Sequence, residues 1–149
     1  GLGASLAIVE ASAGLDADLI IADSPFASAR SYLRRRWSKV PGHLFGMACR
    51  VAAKRFNADP DAIRPLAAVA EGSPVPILFI HGDADRLVPV ADTLNIAANS
   101  LNARNAIWRV TGAAHCAGYL RAPDAYVRRC LSFIEDAVPA RRVPVPTAV

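Results

Sequence analysis

Residues 76–89 read Pro-Ile-Leu-Phe-Ile-His-Gly-Asp-Ala-Asp-Arg-Leu-Val-Pro. The first half is an apolar run, residues 77–80, which is typical of a strand buried on both faces of a parallel sheet. The second half is a polar turn that contains Asp83 and Asp85. Because chemistry in open parallel sheets gathers just beyond the carboxyl ends of the strands, the sequence places two carboxylates where a catalytic acid would lie.

Two further runs are typical of buried strands, residues 18–23 (Asp-Leu-Ile-Ile-Ala-Asp) and residues 105–110 (Asn-Ala-Ile-Trp-Arg-Val). Local patterns predict helices at residues 3–13, 27–37, 42–56, 89–103 and 123–137. Strands that alternate with helices imply a parallel sheet with right-handed crossovers. We therefore predict an α/β fold with parallel strands at about 18–23, 76–81 and 105–110 and with flanking helices.

Residues 27–75 interrupt this alternation. A segment of about 50 residues is too long for an ordinary connection between a strand and the next helix, so we predict a helical cap insertion. The segment contains three consecutive arginines, at residues 34–36. No aromatic side chains are interleaved with them, which favours a solvated helix face over a patch for nucleic acid or anionic lipid.

Composition limits the class of protein. The chain has 149 residues, 53% of them hydrophobic, which suits one globular domain with a sizeable core. The net charge of +4 gives little reason to expect a nucleic-acid partner. No apolar run approaches the roughly 18 to 20 residues that span a bilayer, and no basic leader opens the chain, so we expect a cytoplasmic location.

The cysteines and histidines do not form a metal-binding pattern. Cys49, Cys116 and Cys130 are an odd number without CxxC spacing, which argues against a disulfide scaffold and against a cysteine-built zinc site. Reduced thiols are the expected state. The three histidines also lack ligand spacing such as HExxH. We therefore expect neither a metal nor another cofactor.

Asp85 and His115 are the residues best placed to act on one another. Asp85 follows its strand by four residues, and His115 follows the next strand by five. Side chains that follow adjacent parallel strands lie at the same edge of the sheet, and an acid that orients a histidine has to lie close to it. Asp83 is a weaker candidate, because a turn aspartate more often bonds local backbone N–H groups. The alternatives are a turn-capping Asp85 and a merely exposed His115.

Four segments resemble motifs of the α/β-hydrolase superfamily. Residues 81–89 (His-Gly-Asp-Ala-Asp-Arg-Leu-Val-Pro) resemble its acid turn, HGxxDxxVP, and residues 112–115 (Gly-Ala-Ala-His) resemble its histidine loop, GxxH. Residues 23–28 (Asp-Ser-Pro-Phe-Ala-Ser) and 57–66 (Asn-Ala-Asp-Pro-Asp-Ala-Ile-Arg-Pro-Leu) are similar to segments of the serine-hydrolase branch that includes dienelactone-hydrolase-like and BEM46-like proteins. Together the motifs cover about residues 1–137 and imply the C-terminal part of an α/β-hydrolase fold.

The resemblance also implies catalytic roles. In this family the nucleophile is a serine in a G-x-S-x-G elbow, followed along the chain by the acid and then the histidine. Asp85 would fix the tautomer of His115, which would act as general base and then as general acid. If the helix at residues 3–13 follows the elbow, Gly1 stands where the serine is expected. The backbone N–H of Leu2 is then one oxyanion-hole donor.

A glycine at the nucleophile position has three explanations. The favoured one is that the chain is a piece of a longer protein, whose missing N-terminal half supplies the elbow strand. The second is a true substitution, which makes an inactive or an engineered protein. The third is a shifted register with Ser5 as nucleophile, but this leaves only four residues for the strand that enters the elbow. Under the favoured explanation, residues 18–23 form a strand with one edge bare or paired with another chain. Residues 1–140 are then a partial hydrolase domain, and residues 141–149 an extended or disordered tail.

The same resemblance implies a substrate pocket and a reaction. Ser24, Pro25, Phe26 and Cys116 are expected to line the pocket, with Cys116 as a small wall residue rather than a reactive thiol. The parent protein is expected to cleave an ester or related acyl bond of a small molecule through an acyl-enzyme. The alternatives are an inactive hydrolase fold that serves as a binding or scaffold module, and a peptidase or acyltransferase.

Overall fold

The computed structural model describes residues 1–138 of the chain. The predicted tail at residues 141–149 lies outside the described residues. Helices and strands follow one another in the order α1 (Leu2–Ser12), β1 (Ile20–Asp23), α2 (Ala29–Arg36), α3 (Gly42–Phe56), α4 (Pro65–Ala70), β2 (Ile77–Gly82), α5 (Val90–Asn99), β3 (Ala106–Val110), α6 (Gly118–Arg121) and α7 (Pro123–Ala137).

The strands form one parallel sheet in the order β1–β2–β3, which confirms the predicted α/β class. β2 is the central strand, and all six of its residues are buried. The register pairs Asp23 with Ile80 and Gly82 with Val110, so the strands end near one edge of the sheet. Among the described residues β1 pairs only with β2, which leaves its other side bare, as expected for the strand at residues 18–23.

Helices cover both faces of the sheet, because successive side chains of a strand point to opposite faces. Phe133 of α7 clusters with Leu78 and Ile80 on one face. α1, α4 and α5 cover the other face. The core there is made of aliphatic residues and one phenylalanine: Ile8, Ala11, Ile20, Ala22, Val69, Val75, Ile77, Phe79 and Ile96.

Two short helices, α4 and α6, are absent from the sequence prediction. They have six and four residues, which is too short for a helical period to show. α4 lies inside the predicted cap insertion at residues 27–75, yet its Val69 belongs to the main core. α2 instead joins a separate cluster that contains Phe26, Ala29 and Val88. The insertion therefore combines outer helices with one that completes the layer on the sheet, and its treatment as a single cap stays a prediction.

Local sequence sets several helix boundaries. Ser28 caps α2, since its side chain accepts from Ser31 N at 3.2 Å. Asn57 ends α3 in the left-handed region, with φ 50°, and Pro123 opens α7, where a missing N–H costs nothing. Among the described residues, no helix has the length and apolarity needed to cross a membrane.

Candidate active site

The loops that follow β2 and β3 cross each other in close backbone contact. Asp83 N donates to Val110 O at 3.2 Å, and Ala84 N donates to Ala113 O at 3.1 Å. A Cβ atom at Gly82 would lie 2.1 Å from Ala113 O, so only glycine permits this approach. The glycine of the acid turn therefore fixes the distance between the two loops, and with it the distance between their side chains.

Asp85 and His115 meet where these loops cross. His115 Nδ1 lies 2.7 Å from Asp85 Oδ2, and the Asp85 side chain is fully buried. Burial alone would raise the pKa of Asp85, but hydrogen bonds from Val88 N, His115 and Leu87 N outweigh it and hold the pKa below its usual value. Because an ionised carboxylate only accepts, Nδ1 carries the proton, and Nε2 is left as an acceptor.

Gly1 lies directly in front of that free nitrogen. A Cβ atom at position 1 would be 3.1 Å from His115 Nε2 and 3.5 Å from Cys116 Sγ. Leu2 is the first residue of α1, and the N–H groups of a helix's first turn have no partner within the helix. The structure thus brings together the four residues, Gly1, Leu2, Asp85 and His115, that the sequence assigns to catalysis.

Ser5 and Asp83, the two alternative site residues, make other contacts. Ser5 is fully buried in α1, and its Oγ accepts from Phe26 N at 3.1 Å. Asp83 Oδ1 accepts from Gly112 N at 2.7 Å and so ties the acid loop to the histidine loop. Both side chains therefore satisfy backbone N–H groups, and the residue that faces His115 Nε2 is at position 1.

Ser24 braces the histidine loop from the end of β1. It is fully buried, and its Oγ accepts from Cys116 N at 3.2 Å and donates to Asp23 Oδ1 at 2.9 Å. Asp23 also accepts from the Tyr126 hydroxyl, and burial, together with the Asp23 charge, raises the pKa of Tyr126 to about 12. Ser24 and Cys116 both adopt left-handed backbone conformations with φ 52°, which are uncommon outside glycine. The residue after His115 is therefore held in one strained conformation.

His81 supports Asp85 from inside the protein. It is fully buried, with Nδ1 2.6 Å from Thr93 Oγ1 and Nε2 3.0 Å from Val88 O. Because Val88 O only accepts, Nε2 carries the proton of that hydrogen bond, and it also lies 3.3 Å from Asp85 Oδ2. Thr93 in turn donates to Pro25 O at 3.2 Å. Spacing along the chain gives no sign of the contact between His81 and Thr93.

A cavity of about 820 Å³ lies between α1 and the outer helices α2 and α3, and both Gly1 and His115 line it. Apolar side chains supply most of the wall, among them Leu6, Val9, Leu33, Trp37 and Ala52. A cavity of this size and character suits an apolar small molecule whose reacting group lies next to His115 Nε2.

The cavity wall differs from the one that the sequence predicts. Of the four expected pocket residues, Phe26 lines the cavity. Ser24 and Pro25 do not, because both are buried in the turn after β1 and their polar groups are used in hydrogen bonds within the protein. Cys116 is exposed and lies 3.3 Å from the backbone nitrogen of Gly1, outside the cavity wall. Within residues 1–138, no group of three or more His, Cys, Asp or Glu is placed to hold a metal ion.

Solved structures are similar to this chain, whereas no protein-family model and no curated protein matches it. An esterase of Pyrococcus furiosus has a TM-score of 0.63 and 21% identity over 90% of this chain and 50% of that one. The propionate-bound esterase of Thermogutta terrifontis has a TM-score of 0.57 and 22% identity over 81% of this chain and 43% of that one. The acylaminoacyl peptidase of Pyrococcus horikoshii has a TM-score of 0.63 and 13% identity over 96% of this chain and 24% of that one.

The chain has the α/β-hydrolase fold. It spans about half the length of the similar Pyrococcus furiosus esterase. Because identities near 20% establish a fold and not a reaction, the chemistry of this α/β-hydrolase-fold chain has to be inferred from its own site. That site contains a buried carboxylate, a histidine oriented by it, and an apolar cavity next to the free nitrogen of the histidine.

Proposed function

We propose that the parent protein, of which this chain is a part, cleaves esters or related acyl bonds of small molecules as a serine hydrolase, with Asp85 as the acid, His115 as the base and residue 1 as the nucleophile position. This chain itself has glycine at that position and is expected to be inactive. One observation carries the proposal. His115 is bonded to Asp85 through Nδ1 and turns Nε2 to within 3.1 Å of the Cβ position of residue 1. A serine Oγ on that Cβ can reach Nε2, which is the contact that a general base needs.

In the proposed reaction, a serine at position 1 attacks the acyl carbon while His115 Nε2 takes the hydroxyl proton. The Asp85 carboxylate stabilises the imidazolium that forms. Nε2 then protonates the leaving alcohol, and a water molecule activated by the same nitrogen releases the acyl group. The backbone N–H of Leu2 would stabilise the oxyanion, and the second donor would come from residues outside this chain.

Two observations support assignment to the C-terminal part of such an enzyme. The chain spans about half the length of the similar Pyrococcus furiosus esterase. The acid and histidine loops follow β2 and β3, the last two strands among residues 1–138. We assign the protein to the dienelactone-hydrolase/BEM46-like branch on the strength of residues 23–28 and 57–66. An N-terminal half as partner, a cytoplasmic location and the lack of a nucleic-acid partner stay predictions.

The test is to install the nucleophile. Gly1→Ser is treated with a fluorophosphonate, which bonds covalently to activated serines, and is assayed with p-nitrophenyl acetate. We expect labelling and ester turnover that the wild type and Gly1→Ala lack. Adding His115→Ala or Asp85→Asn should slow labelling by about 100-fold or more, since general-base catalysis contributes roughly 10² to 10⁴. Labelling of Gly1→Ser that neither second substitution slows would refute the triad.

A binding or scaffold module is the second candidate. Gly1 favours it, because a glycine offers no nucleophile beside His115. In that case the cavity holds a ligand without cleaving it, and calorimetry of the parent protein with an apolar ester should show binding while the ester stays intact. Turnover of the bound ester by the parent protein would exclude this candidate.

A peptidase or acyltransferase is the third candidate. The structural similarity to the Pyrococcus horikoshii acylaminoacyl peptidase supports it, because the same acid and base can serve acyl transfer to or from an amine. The Gly1→Ser variant distinguishes these reactions when it is given matched ester and anilide substrates, with and without an added alcohol acceptor. Anilide cleavage at rates similar to ester cleavage would favour the peptidase.

A further inference from the structure

Positive charge is concentrated in one part of the chain. Residues 24–58 contain eight of the seventeen Lys and Arg residues and none of the thirteen Asp and Glu residues. The rest of the chain holds nine cationic and thirteen acidic side chains and is therefore net negative. Since residues 24–58 include α2 and α3, the two outer helices carry a charge opposite to that of the remaining protein.

The arginines of α2 are largely engaged within the protein. Arg35 donates to the Asp92 carboxylate at 2.6 Å, which ties α2 to α5. Arg30 pairs with Asp61, and Arg34 donates to backbone carbonyls beyond the end of α2 at 3.0 Å. Two of the three arginines in the run, Arg34 and Arg35, therefore make contacts within the protein.

α3 differs from α2, because its outer face combines cations with exposed apolar side chains. The apolar residues of this face, Met47 and Val51, are each 50% exposed. Among residues 1–138 no carboxylate lies within 4.0 Å of the three cations of the face, Arg50, Lys54 and Arg55. The opposite face of the helix is buried through Phe45 and Cys49. The outer face forms one shallow depression of about 270 Å³, lined by Met47, Arg50, Val51, Lys54 and Arg55.

We propose that the outer face of α3 binds an anionic lipid surface, with the helix lying along that surface. Lipid phosphates neutralise the cations, and the acyl boundary just below them buries Met47 and Val51. A basic amphipathic helix is typical of such binding. A nucleic acid fits less well, because aliphatic side chains between the cations find no partner on phosphates and cannot stack on bases. The proposal depends on α3 alone and not on the proposed reaction.

The two faces of α3 connect this surface with the cavity. Ala48, Cys49 and Ala52 on the inner side of the helix line the 820 Å³ cavity that also contains His115. A helix is about 10 Å across, so docking of α3 would hold the cavity wall at about that distance from the lipid headgroups. An apolar ligand dissolved in the lipid would then have a short path to the cavity.

Co-sedimentation with vesicles tests the proposal. The protein is mixed with vesicles of phosphatidylcholine alone and with vesicles that also contain phosphatidylglycerol. We expect sedimentation with the anionic vesicles only, and an affinity that falls as NaCl is added. Arg50→Glu/Lys54→Glu should bind at least about 25-fold more weakly, since each cation near an anionic surface contributes about fivefold.

Two matched variants separate this face from net charge. Arg109→Glu/Arg128→Glu makes the same change of charge at exposed positions on β3 and α7 and should bind like the wild type. Met47→Gln/Val51→Gln keeps the charge but removes apolar contact, and should weaken binding several-fold. Far-UV circular dichroism checks that each variant is folded. If Arg50→Glu/Lys54→Glu loses helix, the milder variant Arg50→Gln/Lys54→Gln replaces it.

Three outcomes would overturn the proposal. The first is equal sedimentation with both kinds of vesicle, and the second is equal loss of binding in the two charge-reversal variants. The third is a wild-type protein that stays in the supernatant with anionic vesicles. If the wild-type protein instead self-associates, and Arg50→Glu/Lys54→Glu does not, the outer face of α3 is a contact between copies of the chain.

Discussion

The crossed loops that carry Asp85 and His115 contrast with the outer face of α3. The Asp85 side chain is fully buried and accepts hydrogen bonds from His115 and from two backbone N–H groups. On α3, Met47 and Val51 are half exposed and stand beside cations without a neighbouring carboxylate among the described residues. The loops fix individual atoms, as the proposed acyl-transfer chemistry needs, whereas α3 fixes only the sign of charge and the polarity of a surface.

This contrast predicts opposite tolerance to mutation. In the crossed loops one added methyl group meets backbone atoms that cannot move independently of the sheet. On the outer face of α3 a whole side chain can be exchanged without contact to the core, because the buried residues of that helix lie on its other side. Substitutions in the loops should therefore change stability, and substitutions on α3 should change binding.

Gly82→Ala should produce the largest effect. Its Cβ would lie 2.1 Å from Ala113 O, so the acid loop and the histidine loop would have to separate. The free energy of unfolding should fall by about 3 kcal/mol, in the range for severe overpacking. Urea denaturation followed by circular dichroism measures the loss.

Gly42→Ala is the matched control for that substitution. A Cβ at Gly42, the first residue of α3, would meet nothing within 4 Å, so the change should alter the free energy of unfolding by less than about 1 kcal/mol. Equal urea midpoints for Gly82→Ala and Gly42→Ala would mean that the loops do not need their close crossing. The contrast between the two regions would then be lost.

The crossed loops are predictable from sequence because their information is local. Residues 81–89 and 112–115 place a glycine and a functional side chain at fixed distances beyond a strand. Once β2 and β3 are parallel neighbours, both side chains leave the sheet at one edge, and the bond between Asp85 and His115 follows.

The contacts behind the loops are not local, and spacing along the chain does not reveal them. His81 meets Thr93 only because α5 packs next to β2, and Ser24 meets Cys116 N only because β1 ends beside the histidine loop. The cavity likewise depends on how α2 and α3 stand over α1. For that reason the sequence assigns Ser24 to a cavity wall that it does not form.

Asp85→Asn should change the way stability depends on pH. The pKa of Asp85 is lower in the folded protein than its ordinary value, because its hydrogen bonds outweigh burial. Its carboxylate therefore stabilises the fold fully above the ordinary pKa of about 4, and this contribution is lost as the pH falls from there through the lower folded value. The wild type should lose stability more steeply than Asp85→Asn below about pH 4.

Urea midpoints at a series of pH values measure that difference. Asp16→Asn, at an exposed position, is the control and should follow the wild-type curve. Curves for Asp85→Asn and the wild type that stay parallel down to about pH 2.5 would contradict the hydrogen-bonded carboxylate. They would also remove the reason for assigning the Nδ1 proton to His115.

Met47→Gln/Val51→Gln should have the smallest effect on stability, although it is expected to weaken lipid binding. Both side chains are half exposed, and glutamine is a good helix former, so the free energy of unfolding should change by less than about 1 kcal/mol. Phe45→Ala on the buried face of the same helix is the control, and should cost about 3 kcal/mol. If thermal denaturation instead shows that Met47→Gln/Val51→Gln is as destabilised as Phe45→Ala, the outer face of α3 already packs against another part of the protein. It could then not be free to meet a lipid surface.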